Sequence, residues 1–218
     1  MALGLLGPAL MYVGDLLMYF RAAETDVFYT SLIEFMRDKP AFQLHIGAAL
    51  GPISAPFYVL GFIGVAATLR GPTFLRLSFV GLLVFSICLG SAYHAGFPHM
   101  VYSTPSGTGT EDFFFKQLPA EQAAYFMALL YGYLAPAALA WVGLSILVVL
   151  GKTHLPRWFI VFSPVVWYWL GEPLHHLSPP LNVALAGGWF NLQYLPMFTA
   201  VLVWAAVRST PSATTQAK

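Results

Sequence analysis

The sequence predicts an all-α integral membrane protein, a bundle of six transmembrane helices with both termini in the cytoplasm. Three observations predict it. Of 218 residues, 58% are hydrophobic and only 9% charged, more apolar surface than one soluble core of this length can hide. Apolar runs near the roughly 20 residues that a spanning helix needs recur six times, centred near Leu10, Ala55, Leu83, Leu134, Val165 and Met197. The 19 glycines and 16 prolines suit helices whose neighbours re-satisfy the backbone groups that these residues free.

The first run, Leu3 to Phe20, breaks its pattern only at Asp15. With that acid inside it and no basic residue ahead of it, it reads as a helix and not as a cleaved leader. A polar connection follows. Within it, Val27 to Met36 places Phe28, Leu32, Phe35 and Met36 near one helical face, as an interfacial helix would; an ordinary loop is the alternative. The second run, Ala41 to Leu69, carries His45 near its start and a kink expected at Pro52 to Pro56. The third climbs from Thr73 to Phe97, with Ser91 and His94 on one face by their i, i+3 spacing and His99 off it behind Pro98.

Tyr102 to Gly109 is a Ser/Thr/Gly/Pro loop expected to act as a flexible lid, and Phe113 to Phe115 are expected to dip into the interface. The fourth run begins at Pro119, a suitable first-turn proline, and ends near Leu150, with Tyr125, Tyr131 and Tyr133 as candidates to face the bundle. The fifth, Arg157 to Pro180, carries Trp167, Tyr168, Trp169, Glu172, His175 and His176 at its far end. The sixth, Leu181 to Val207, carries Asn182, Trp189, Asn191 and Gln193 in its first half. Residues 1–208 are expected to be one domain and 209–218 a disordered cytoplasmic tail.

Charge sets the orientation. With six spans, one side collects Arg70, Arg76, Lys152, Arg157, Arg208 and Lys218 and no acid, while the other sets Arg21, Arg37, Lys39 and Lys116 against Glu24, Asp26, Glu34, Asp38, Glu111, Asp112 and Glu121. Basic loops stay in the cytoplasm. The same arithmetic places Asp15, His94, Glu172 and the His175–His176 pair at the outer ends of outgoing helices, and His45, Tyr125 and Asn191 in the first turns of incoming ones. All fall in the outer half of the bilayer. Ionisable residues there are energetically costly and mark functional sites, so one outward pocket is expected.

Burial in such a pocket draws carboxyl and imidazole groups toward neutrality, where general acids and bases work best. The preferred reading is an enzyme that isomerises, cyclises or opens the epoxide of a lipid- or terpenoid-like molecule without a cofactor. Glu172 and Asp15 are its candidate acids, and His94 and His45 its candidate bases or water activators. Asn191, Trp189, Trp169, Tyr125, His175 and His176 are assigned to substrate binding; aromatic walls also shelter cationic character. A second reading is a metal-dependent membrane hydrolase, with zinc or iron held by His45, His94, one of His175 or His176, and Asp15 or Glu172. A third is a small transporter or assembly factor, although no internal repeat matches one half to the other.

The expected partners are the hydrophobic substrate and membrane lipids. The net charge of +1 excludes a nucleic-acid footprint, and the absence of a phosphate-cradling Gly-rich loop argues against nucleotide-driven chemistry. The single cysteine, Cys88, offers no intrachain disulfide and is expected to be a small buried hydrophobe.

Overall fold

Each of the first four apolar runs becomes a long helix in the computed structural model, which describes residues 1–20, 28–104 and 114–209. Helix α1, Leu6–Tyr19, is entered through a 3-10 turn at Ala2–Leu5. A shorter α2, Phe28–Arg37, precedes α3, Ala41–Ala66, and α4, Thr73–Ala95, which continues into α5, Phe97–Ser103. After a 3-10 turn at Phe114–Gln117, α6 runs from Ala120 to Val149. The described residues form no strand; one isolated bridge pairs Leu69 with Thr153.

Among the described residues, five stretches are long and apolar enough to cross a membrane: Ala2–Tyr19, Ala41–Ala66, Thr73–Ser103, Ala120–Val149 and Trp189–Arg208. This is the make-up of a multi-pass membrane protein. The fifth run of the sequence is not a sixth such helix. It is divided into a 3-10 turn at Arg157–Phe162, α7 at Pro164–Tyr168 and α8 at Gly171–Leu174. Proline supplies the reason, because Pro164 and Pro173 cannot donate to a preceding turn. Pro164 instead opens α7, with the Ser163 hydroxyl accepting from Val165 N as its cap. The last run is also divided, into α9 at Leu181–Gly187, α10 at Trp189–Leu192 and α11 at Tyr194–Ser209.

Helix α1 packs along α3, α3 along α4 and α4 along α6, while α9 and α10 lie against α1. Small residues allow the first crossing: a Cβ on Gly14 would stand 2.7 Å from the Gly47 carbonyl oxygen, and one on Gly47 would stand 2.8 Å from that of Gly14. Close backbone approach of this kind is the usual packing device between membrane helices. Tyr12 and Tyr19 then pin α9 to α1 by donating to the carbonyls of Ala184 (3.0 Å) and Gly187 (2.5 Å).

The apolar interior falls into two clusters. One is built around Tyr58, Phe62, Trp141, Tyr194 and Phe198, the other around Met18, Leu44, Phe97, Met100 and Phe126. Along the chain, Asp15, His94 and Asn191 each stand between members of the two clusters, and all three are buried.

Several local expectations change. Helix α2 buries Leu32, Ile33, Phe35 and Met36 against α1, α5 and the turn at Phe114–Gln117, so its apolar face covers the protein and not the membrane interface. Phe115 is likewise buried within the fold. Cys88 is exposed, not buried. Most of the candidate lid, residues 105–109, and the tail from 210 onward lie outside the described residues.

Candidate active site

His94 is fixed by a proline on another helix. Pro52 has no N–H, so the carbonyl of Ala48, four residues earlier in α3, loses its helical donor. His94 Nδ1 reaches that oxygen at 3.3 Å. A carbonyl only accepts, so Nδ1 carries the proton and Nε2 faces the other way. At 3.1 Å from Nε2 is Oδ1 of Asp15. A hydrogen bond at this contact needs one further proton, carried by the imidazole or by the carboxyl group.

The second carboxylate oxygen is also held. Asn191 Nδ2 donates to Asp15 Oδ2 at 2.6 Å, and the Tyr58 hydroxyl donates to Asn191 Oδ1 at 2.9 Å. The amide therefore has one orientation only, with its nitrogen toward the carboxylate. The result is a chain from Tyr58 through Asn191 and Asp15 to His94 and Ala48 that ties α10, α1, α3 and α4 together. Every member is buried, and every polar atom named in it has a partner, which is the condition for a buried polar network to be tolerated.

The space for the ring is also built into α3. A Cβ on Gly51 would lie 2.7 Å from His94 Nδ1 and 3.0 Å from its Cβ, so only glycine leaves a notch for the imidazole. Ser91, one turn before His94, donates to the Gly51 carbonyl at 3.3 Å.

A cavity of about 280 Å³ opens beside the pair, with Asp15, His94 and Asn191 on its wall. The remainder of the lining is mainly apolar and aromatic, including Met11, Leu32, Ile87, Phe97, Phe115 and Phe190, with Tyr19 and Tyr133 also on the wall. A largely apolar pocket with a few convergent polar groups has the general form of a small-molecule site, and its size is near the lower end of the usual ~300–1,000 Å³. Helix α2 and the turn at Phe114–Gln117 close one side through Leu32 and Phe115.

The residues that the sequence assigns to one pocket divide into three groups. Asp15, His94 and Asn191 meet as described. Glu172, His175, Trp169 and Trp189 line a separate cavity of about 300 Å³, with Phe190 between the two. The broken fifth run carries its polar end away from the His94 pair, and the exposed Glu172 and His176 do not reach it.

His45 and Tyr125 join neither cavity. On α3 the inward phase is Leu44, Gly47, Ala48 and Gly51, and His45 lies about 100° from Leu44. It is exposed, its Nδ1 bonded to its own Ala41 carbonyl at 2.6 Å and its ring 5.9 Å from Tyr102. Tyr125 is 58% exposed, one residue out of phase with buried Phe126. Depth in the membrane is shared by all residues of one turn, whereas facing is shared only by those in phase.

The same separation bears on the metal reading. Among the described residues no three His, Cys, Asp or Glu side chains gather where they could hold one ion, because His45 and His175 stand apart from the Asp15–His94 pair.

Tyr58, Tyr19 and the Ala48 carbonyl complete the site without having been singled out in the sequence. Tyr58 ends the small-residue face Gly47, Gly51, Ser54, and Tyr19 lies one turn beyond Asp15. Pro52 itself was the signal for an unpaired carbonyl at the depth of a histidine.

No curated protein and no solved structure matches the chain. A family model matches residues 1–207, and the chain belongs to that family, DUF6796, a family of unknown function.

Proposed function

We propose that this protein is an intramembrane enzyme for acid–base chemistry, such as isomerisation, cyclisation or epoxide opening, on a hydrophobic small molecule held beside Asp15 and His94. One observation carries the reading: a His–Asp contact, oriented from both ends, on the wall of an otherwise apolar cavity. General acid–base groups act when they are pre-positioned at the reacting atom. Here Ala48 fixes the tautomer of His94, and Asn191 and Tyr58 fix the carboxylate. The proton between Nε2 and Oδ1 passes to a substrate oxygen or olefinic carbon, and the base left behind takes a proton from a neighbouring substrate carbon or from water. The net proton count of the pair is restored in each turnover.

The reading treats Arg157–Leu174 as a sixth, broken crossing. The Leu69–Thr153 bridge holds its start beside the end of α3, while the Trp167 carbonyl accepts from Trp189 Nε1 of α10, ahead of α11, at 2.7 Å. Irregular backbone is tolerated at membrane depth where it is covered by protein or lines a cavity. Both termini then lie on one side, and the basic links and tail make that side the cytoplasm.

The test is a survey of lipids and names no substrate in advance. Purified protein is incubated with a total membrane lipid extract in D₂O, and the extract is surveyed by mass spectrometry. Lipid species that gain deuterium or the elements of D₂O, or that change retention time, are expected with the wild type and not with Asp15→Asn or His94→Gln. Extracts indistinguishable between wild type and no-protein controls would overturn the proposal.

A further inference from the structure

The second polar cavity has the lining of a cation site. It is lined by Tyr168, Trp169, Trp189, Phe190 and Glu172, and among the described residues no lysine or arginine contributes to it. Aromatic faces attract ammonium groups through their quadrupole, most strongly when a ring is tryptophan, and a nearby carboxylate adds a direct charge term. His175 is the basic neighbour. It lies outside the five long apolar helices, and burial lowers its pKa below the ordinary histidine value, against a smaller opposing effect of Glu172. It is therefore neutral at pH 7 and does not occupy the place of a cation.

The cage is held from behind. The Trp189 indole N–H donates to the Trp167 carbonyl at 2.7 Å, and the two rings stack at 5.9 Å between centroids with 26° between planes. Gly171 permits this approach, since a Cβ there would lie 2.6 Å from Trp189 Cδ1. Tyr168 packs edge-on to Trp169 and at 6.1 Å from Phe190. Interfacial anchoring accounts for single tryptophans at a membrane surface, but not for aromatic residues and a carboxylate that together enclose about 300 Å³.

We infer that this cavity binds an organic ammonium ion of the quaternary class, with Glu172 as counter-ion and Trp169 and Trp189 as ring faces. The source is either a zwitterionic lipid headgroup or a free small cation. The site is independent of the Asp15–His94 pair.

The experiment is saturation-transfer NMR on protein in nanodiscs with tetramethylammonium chloride as probe and tert-butanol as its neutral counterpart. Saturable transfer to tetramethylammonium and none to tert-butanol is expected, with affinity weakened about fivefold or more by Glu172→Gln and by Trp169→Leu. Both residues are exposed, Trp169 by 73%, so the fold survives either change, and an unchanged elution profile verifies it. Equal transfer to both probes, no saturable transfer to either, or wild-type affinity in both variants would overturn the inference. Phosphatidylcholine and phosphatidylglycerol nanodiscs separate the sources. Competition only in phosphatidylcholine identifies a lipid headgroup, and equal binding in both identifies a free cation.

Discussion

Gly51 and His94 fit as notch and ring: a methyl group on Gly51 would stand 2.7 Å from His94 Nδ1, well inside contact distance. The ring cannot retreat freely, because Asp15 holds its far nitrogen at 3.1 Å. Gly51→Ala is therefore expected to displace the imidazole and to cost about 1–3 kcal/mol, as overpacking does. A fall in the melting temperature in detergent, together with loss of turnover, checks it. Gly143→Ala is the control, since nothing lies within 4 Å of a Cβ there; it should leave both unchanged.

Removing one member of the buried pair leaves the other without its partner, at a cost of about 3–5 kcal/mol. Asp15→Ala and His94→Ala should each destabilise the protein by an amount of that order. The double variant should lose less than the two singles combined, because neither orphan remains. Additive losses in a denaturation cycle would show that the two side chains do not interact.

Pro52→Ala restores an N–H that competes with His94 for the Ala48 carbonyl. Stability and function should then separate. Interior proline costs a helix about 3 kcal/mol in general, so the melting temperature is expected to hold or rise while turnover falls at least tenfold. ¹⁵N NMR of the His94 ring should show mixed tautomers in place of one. A ring spectrum identical to wild type would remove the proposed role of the proline.

The lowered pKa of His175 gives the cation cavity a pH dependence. Its titratable neighbours include Glu172 and His176, the first opposing and the second reinforcing the lowering. Folding disfavours the protonated ring, so the stability linked to this group is present at neutral pH and above and is lost as pH falls through the ordinary histidine value and below. Tetramethylammonium affinity should stay constant from about pH 8 to pH 6.5 and decline below that. His175→Gln should remove the part of the decline that protonation of His175 causes.

What the sequence determined by itself is the membrane character and the extent of each long helix. Apolar length and proline position are local properties, so α3, α4 and α6 begin and end close to where Pro40, Pro72 and Pro119 and the following apolar runs place them. Asp15, His94 and Asn191 were legible because an ionisable or amide group in an apolar run is conspicuous wherever the helix turns, and Glu172 and His45 stood out for the same reason. The fifth run was read as one helix on apolar content alone, and its prolines divided it.

The tertiary structure alone decided which polar groups meet. Residues at one depth on several helices face different directions, and only helix phase and interhelical packing choose among them. That choice excluded His45 and Tyr125, moved Glu172 and His175 to a second cavity, and brought in Tyr58 and a backbone carbonyl that no residue letter displays. The physical reason is that hydrogen bonding acts over about 3 Å, whereas hydropathy locates a side chain only to within a helical turn.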